Sequence, residues 1–105
     1  MRWGFAEFVA VASRHAYQVK SKLSDVELAS FPCSYSTAEN MLTKSKVLSG
    51  DLVLVTGASG GVGSAAVQLI KDRGADVIAV TSDSKSQDLI TLGAKKTLNR
   101  DQSLV

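Results

Sequence analysis

Residues 53–64 read VLVTGASGGVGS. An apolar run ends in a cluster of small residues with four glycines in the seven positions 57–63, and a new apolar pattern opens at Val62. The run before the cluster, residues 52–56, is short, apolar and hardly alternates, as a strand covered on both faces does. After the cluster, Val62, Ala65, Ala66, Leu69 and Ile70 recur at helical spacing and share one side, which predicts a helix over about 61–73 that Gly74 stops. A strand follows at 77–81 (VIAVT), then a helix over about 84–92 ended by Gly93, then a short strand at about 96–98. Strands and helices alternating with links this short imply right-handed crossovers and a parallel sheet. Residues 51–99 therefore read as the first βαβαβ half of a Rossmann-type doubly wound sheet, an α/β fold.

The small residues at the first strand–helix junction suit an anion. Ala58-x-Gly60-x-x-Gly63 has the spacing of the dinucleotide fingerprint, with alanine in the first glycine place. Gly60 lets the main chain approach a pyrophosphate, and Gly63 lets the helix pack against the strand. The amides around Ser59, Gly60, Gly61, Val62 and Gly63 lie at the positive end of the helix dipole. Gly57 is placed to take the turn that Ala58 cannot. The competing reading is a tight structural turn. A P-loop is excluded, because no Gly-Lys-Ser/Thr closes the loop.

In such a fold an acidic residue at the end of the second strand holds the ribose 2′-hydroxyl and favours NAD. Here that place falls to Thr81 and Ser82, with Lys85 one turn on and Arg100 after the third strand. Two hydroxyls and two cations suit a 2′-phosphate, hence NADP. Asp83, roughly 20 residues beyond the loop, argues for NAD, and solvated surface charge is the plain alternative for each cation.

The first fifty residues are less regular. Residues 5–11 (FAEFVAV) and 15–20 (HAYQVK) are strand-like. Ser24-x-x-Glu27 has the spacing of a capping box, predicting a short helix through Ala29 that Pro32 ends. A second box at Ser36 opens a helix to about Lys44, with Ala38, Met41 and Leu42 inward, and residues 48–51 form a turn. The chain has 105 residues and a net charge of +2, with its cations scattered, which argues against nucleic acid. No stretch approaches the ~18 apolar residues of a membrane span, and Glu7 interrupts the apolar start, so neither a membrane segment nor a signal peptide is expected. The one cysteine, Cys33, excludes an internal disulfide and fits a reducing, cytoplasmic setting.

Four ordered stretches resemble the medium-chain dehydrogenase/reductase superfamily, the group of the zinc alcohol dehydrogenases and quinone oxidoreductases. They are GFAEFVAV (4–11), LSDVELASFPCSYSTAENML (23–42), SGDLVLVTGASGGVGSAAVQLIKDRGADVIAV (49–80) and LGAKKTLNRD (92–101). The resemblance implies a GroES-like, β-rich catalytic domain whose C-terminal end is residues 1–35, a connecting helix and turn at 36–50, and the N-terminal half of an NAD(P)-binding domain at 51–105. It implies hydride transfer between a nicotinamide cofactor and an alcohol, a carbonyl, or a quinone or enone, in an enzyme several times longer than this chain. CSYST at 33–37 is similar to the family's C-G-F-S-T, which makes Cys33 a candidate zinc ligand and Thr37 a candidate catalytic residue beside the nicotinamide. The quinone oxidoreductase branch, whose loop this one resembles, carries no zinc. His15 does not fall in the family's ligand motif.

The expected partners are a small-molecule substrate and further copies of the chain, joined in a homo-oligomer or through the edge of the sheet, with no nucleic acid and no membrane. Two other functions compete. A short-chain dehydrogenase-type reductase shares Thr56-Gly57-x-x-x-Gly61-x-Gly63, but such a chain begins at this strand, whereas here fifty residues with matches of their own precede it. A non-catalytic nucleotide-binding fragment would keep the adenosine half of the site and reduce nothing.

Overall fold

The computed structural model describes residues 5–102. Its α/β core forms where the glycine loop predicts it. Strand β1 (Leu52–Val55) leads through the loop into a helix at Gly61–Asp72, strand β2 (Asp76–Thr81) follows, and a helix at Ser86–Leu92 leads to strand β3 (Lys96–Asn99). The three strands are parallel in the order β1-β2-β3, with Leu54 opposite Ile78 and Ile78 opposite Lys96. Two right-handed crossovers stepping the same way put both helices on one face.

Upstream, α1 (Asp25–Ala29) and α2 (Phe31–Lys44) run almost without a break. The helices of the βαβαβ unit are then α3 (Gly61–Asp72) and α4 (Ser86–Leu92), the latter preceded by a 3₁₀ turn at Asp83–Lys85. Helix α3 is the centre of the core. Its Ala65, Ala66, Val67 and Ile70 are buried between β1 and β2 on one side, through Val77 and Ala79, and α2 on the other, through Ala38 and Leu42. Alanine at four of these positions, Ala38, Ala65, Ala66 and Ala79, keeps the layers near one another.

Several upstream expectations fail. Residues 5–11 and 15–20 form no strand; the stretch holds only a 3₁₀ turn at Ser13–His15. A strand needs a neighbour for its ladder, and among the described residues none lies beside this one; Phe5, Phe8, Val9, Val11, Tyr17 and Val19 are exposed. Among residues 5–35 the described structure holds no strand. Pro32 does not merely end a helix: it sits in the first turn of α2, where a missing N–H costs nothing. Ser36 is accordingly not a cap but an interior residue, whose hydroxyl donates back to the Pro32 carbonyl. Strand β1 is not covered on both faces either. Val53 and Val55 pack on the core while Leu52 and Leu54 are exposed, because the described helices all lie on the other side.

Candidate dinucleotide site

The loop after β1 is shaped by two close approaches. Gly57 sits at φ +60°, the left-handed region that a Cβ disfavours. Its carbonyl accepts from the Gly60 amide at 3.0 Å and faces Gly63, where an added Cβ would come within 2.2 Å of that oxygen. Gly63 is therefore required by the turn leading out of β1, and that contact seats the first turn of α3 on the loop. At Gly60 the nearest atom to an added Cβ is 3.4 Å away, so packing within the chain does not demand glycine there. The open space in front of it is what an approaching ligand would use.

Helix α3 begins uncapped. Gly60 occupies its N-cap with no side-chain hydrogen bond. The first amide with a partner is Ser64, donating to the Gly60 carbonyl at 2.8 Å. The amides of Gly61, Val62 and Gly63 have no acceptor among the described residues. Together with the positive end of the dipole they make a corner with the chemistry to receive an anion.

Backbone hydrogen bonds draw the other expected residues to this corner. The Ala58 amide donates to the Val80 carbonyl at 3.3 Å, pinning the loop to the end of β2. The Arg100 amide donates to the Thr81 carbonyl at 3.1 Å, pinning the end of β3 there as well. Ser59, Gly60, Gly61, Val62, Gly63, Thr81, Ser82, Lys85 and Arg100 thus all lie at or just beyond the C-terminal ends of the three strands. Thr81 is 4% exposed, and its Oγ1 has no hydrogen-bond partner. Ser82 is half-buried, its hydroxyl 3.2 Å from that of Ser84. Lys85 and Arg100 are exposed; the Arg100 Nε lies 3.9 Å from the neighbouring Asp101 carboxylate, a weak and solvated pair. Asp83 is also exposed.

A groove of about 190 Å³ runs from the loop to α4, lined by Ser59, Ser64, Lys85, Asp88, Leu89 and Leu92. Drug-sized ligands take roughly 300–1,000 Å³, so it holds part of a dinucleotide rather than the whole. Ser64 and Asp88 are additions to the expected set. Lys85 and Asp88 are three apart in sequence, a spacing that suggests shared surroundings, but the sequence carries no sign that α4 turns them toward Ser59.

Helix α2 lies alongside α3 and parallel to it. At one end the Arg73 guanidinium bonds the Glu39 carboxylate and the Thr43 hydroxyl, the latter at 3.2 Å. At the other end Ser34 meets Gly61. The first turn of α2, with Cys33 and Thr37 just behind it, is thereby carried to the glycine loop. Both side chains are exposed. Zinc does not fit what is present: among the described residues no three His, Cys, Asp or Glu side chains gather around Cys33 or anywhere else. One thiol does not make a zinc centre.

The chain is similar to known proteins over most of its length. The NAD dependent epimerase/dehydratase family matches residues 53–102. Crotonyl-CoA carboxylase/reductase of Cereibacter sphaeroides is 39% identical over 100 residues, which cover 91% of this chain and 23% of that protein. A solved Sinorhizobium meliloti structure, provisionally described as an alcohol dehydrogenase, superposes with a TM-score of 0.83 at 44% identity, over 89% of this chain and 26% of that one. The Thermus thermophilus quinone oxidoreductase, solved also in complex with NADPH, gives a TM-score of 0.72 at 35% identity over 77% of this chain and 28% of that one. The chain thus spans about a quarter of the length of these relatives. The epimerase/dehydratase match begins inside β1, whereas the relatives also align with residues upstream of it.

Proposed function

The chain belongs to the medium-chain dehydrogenase/reductase superfamily, and from that premise we propose that it supplies the adenosine-diphosphate half of an NADP(H) site in an oxidoreductase. The whole enzyme would transfer hydride to or from an alcohol or carbonyl, or to a quinone or enone. The observation that carries the reading is the row of amides at Gly61, Val62 and Gly63, which find no acceptor within the described chain and open beside a glycine loop. The buried Thr81 hydroxyl, left without a partner at the same end of the sheet, supports it independently.

Each residue then has a task. The three amides hold the diphosphate oxygens, and Gly60 leaves the main chain bare where they approach. Thr81 and Ser82 hold the adenosine ribose. Lys85 and Arg100 receive the 2′-phosphate, which selects NADP over NAD. The cofactor itself supplies the hydride chemistry when bound. Thr37, one turn beyond Ser34, stands on the nicotinamide side as a hydrogen-bond donor to substrate or ring. No step is assigned to Cys33. The partners in this reading are the small substrate and further copies of the chain. Among the described residues no helix is long and apolar enough to cross a membrane.

Titration with NADPH, NADH and 2′-AMP tests the proposal by calorimetry. NADPH is expected to bind about tenfold more tightly than NADH at low salt, with the gap closing as salt screens the exposed Lys85 and Arg100. Equal affinity for the two would remove the 2′-phosphate assignment. No binding of either dinucleotide would remove the site.

A further inference from the structure

We propose that the Ser34 hydroxyl is a ligand of the dinucleotide diphosphate, supplied by a helix outside the βαβαβ unit; the inference rests on the nucleotide-binding reading above. Ser34 lies in the first turn of α2, directly across from Gly61 in the first turn of α3. A Cβ added to Gly61 would stop 3.0 Å from the Ser34 Oγ. The hydroxyl therefore lies beside the first residue of α3.

Ser34 is half-buried, and its Oγ makes no hydrogen bond to any described residue. The contrast with Ser36 is informative. A serine inside a helix commonly satisfies its hydroxyl on the carbonyl four residues back. Ser36 does so, on Pro32, whereas Ser34 leaves the Ser30 carbonyl alone. Ser34 thus keeps its donor available where α2 approaches Gly61. In CSYST it holds the position where C-G-F-S-T has glycine, so the donor belongs to this chain rather than to the motif.

The surroundings favour an anion between the two helices. Helices α2 and α3 have 14 and 12 residues, run parallel, and start side by side without a side-chain cap on either. The backbone amides of Gly61, Val62 and Gly63 have no acceptor among the described residues. The α3 dipole presents its positive end at these amides. The glycine loop is pinned to β2 one residue before Thr81, whose buried hydroxyl has no partner among the described residues. A serine hydroxyl donating to a phosphate oxygen is a charge-assisted bond, among the stronger that a neutral side chain makes.

The test compares Ser34→Ala with the unchanged chain in binding NADPH and 2′-AMP, the latter lacking the diphosphate. Ser34→Ala is expected to raise the NADPH dissociation constant about tenfold and to leave 2′-AMP unchanged. Ser34→Gly, which also relieves the contact with Gly61, is expected to give the same loss, so that a packing effect peculiar to alanine is separated from loss of the hydroxyl. If the unchanged chain binds NADPH and both variants bind it as tightly, this inference alone is overturned. An equal loss for NADPH and 2′-AMP overturns it too, since the hydroxyl would then act through the fold. An unchanged chain that binds neither ligand overturns the nucleotide site with it.

Discussion

Thr81 concentrates the conflict between folding and binding in a single hydroxyl. Its side chain is buried at the end of β2 with no partner for Oγ1. An unsatisfied buried polar atom costs about 1–3 kcal/mol, so in the proposed reading a binding role for Thr81 comes at the expense of the fold. Thr81→Val keeps the shape and removes the orphan. The variant is expected to be more stable by about 1 kcal/mol, read as a higher thermal midpoint without ligand, and to bind NADPH less tightly. The two effects move in opposite directions, which separates a binding role from a structural one. A valine variant that loses stability would mean the hydroxyl has a partner in solution and is not waiting for a ribose.

Between residues and the molecule, the elements differ in how far their sequence determines them. The βαβαβ unit was legible because each boundary has a local cause. Gly74 and Gly93 sit at positive φ just past α3 and α4, and the apolar side of α3 buries the residues its period marks. The glycine loop lies at the predicted handover, and Thr81, Ser82, Lys85 and Arg100 come to the same end of the sheet because parallel strands bring them there. The upstream half was less legible. Pro32 stops one helix and starts the next equally well, and Ser36 and Glu39 imitate a capping box inside α2. The strand-like runs at 5–11 and 15–20 depend on neighbours that no local pattern supplies. Ser34 was invisible for a related reason: only the parallel packing of α2 on α3 makes it part of the loop.

The capping box that did form, at α1, makes a pH prediction at this scale. The Ser24 amide donates to the Glu27 carboxylate at 2.8 Å, and the Glu27 amide donates to the Ser24 hydroxyl. The hydrogen bond from the Ser24 backbone, and after it the one from the Ser24 side chain, hold the Glu27 carboxyl below its usual value. A depressed carboxyl stabilises the folded form above its unfolded pKa, near 4.3, and that contribution fades as pH falls through the lower folded value. Amide exchange at Glu27 and Leu28 should therefore gain less protection than the α3 amides at neutral pH, and lose what it has on acidification below about pH 4.3. Ser24→Ala should abolish the pH dependence at these amides. Exchange protection that is flat through the acid range in the unchanged chain would show that the box does not hold α1.

For the molecule as a whole, what matters is how much apolar surface the described residues leave uncovered. The Cα radius of gyration is 16.5 Å, against about 13 Å for a compact chain of some 100 residues. Among the described residues the sheet has helices on one face only, and Leu52 and Leu54 of β1 are 64% and 53% exposed on the other. Among the described residues strand β1 is also an edge, pairing there with β2 alone. Its outer row of amides and carbonyls is a template for another strand, and an apolar edge without charge or proline is poorly protected against such pairing. A β1-to-β1 contact between two copies would satisfy that row and cover both leucines at once. Sedimentation velocity over a dilution series is expected to show the unchanged chain associating as concentration rises. Leu54→Lys places a charge on the exposed face of the edge strand, away from α3, and is expected to shift the population toward monomer, since a charge blunts an apolar edge. Association that persists unchanged in Leu54→Lys would move the contact elsewhere, to the exposed aromatic residues of 5–22 such as Phe5, Phe8 and Tyr17.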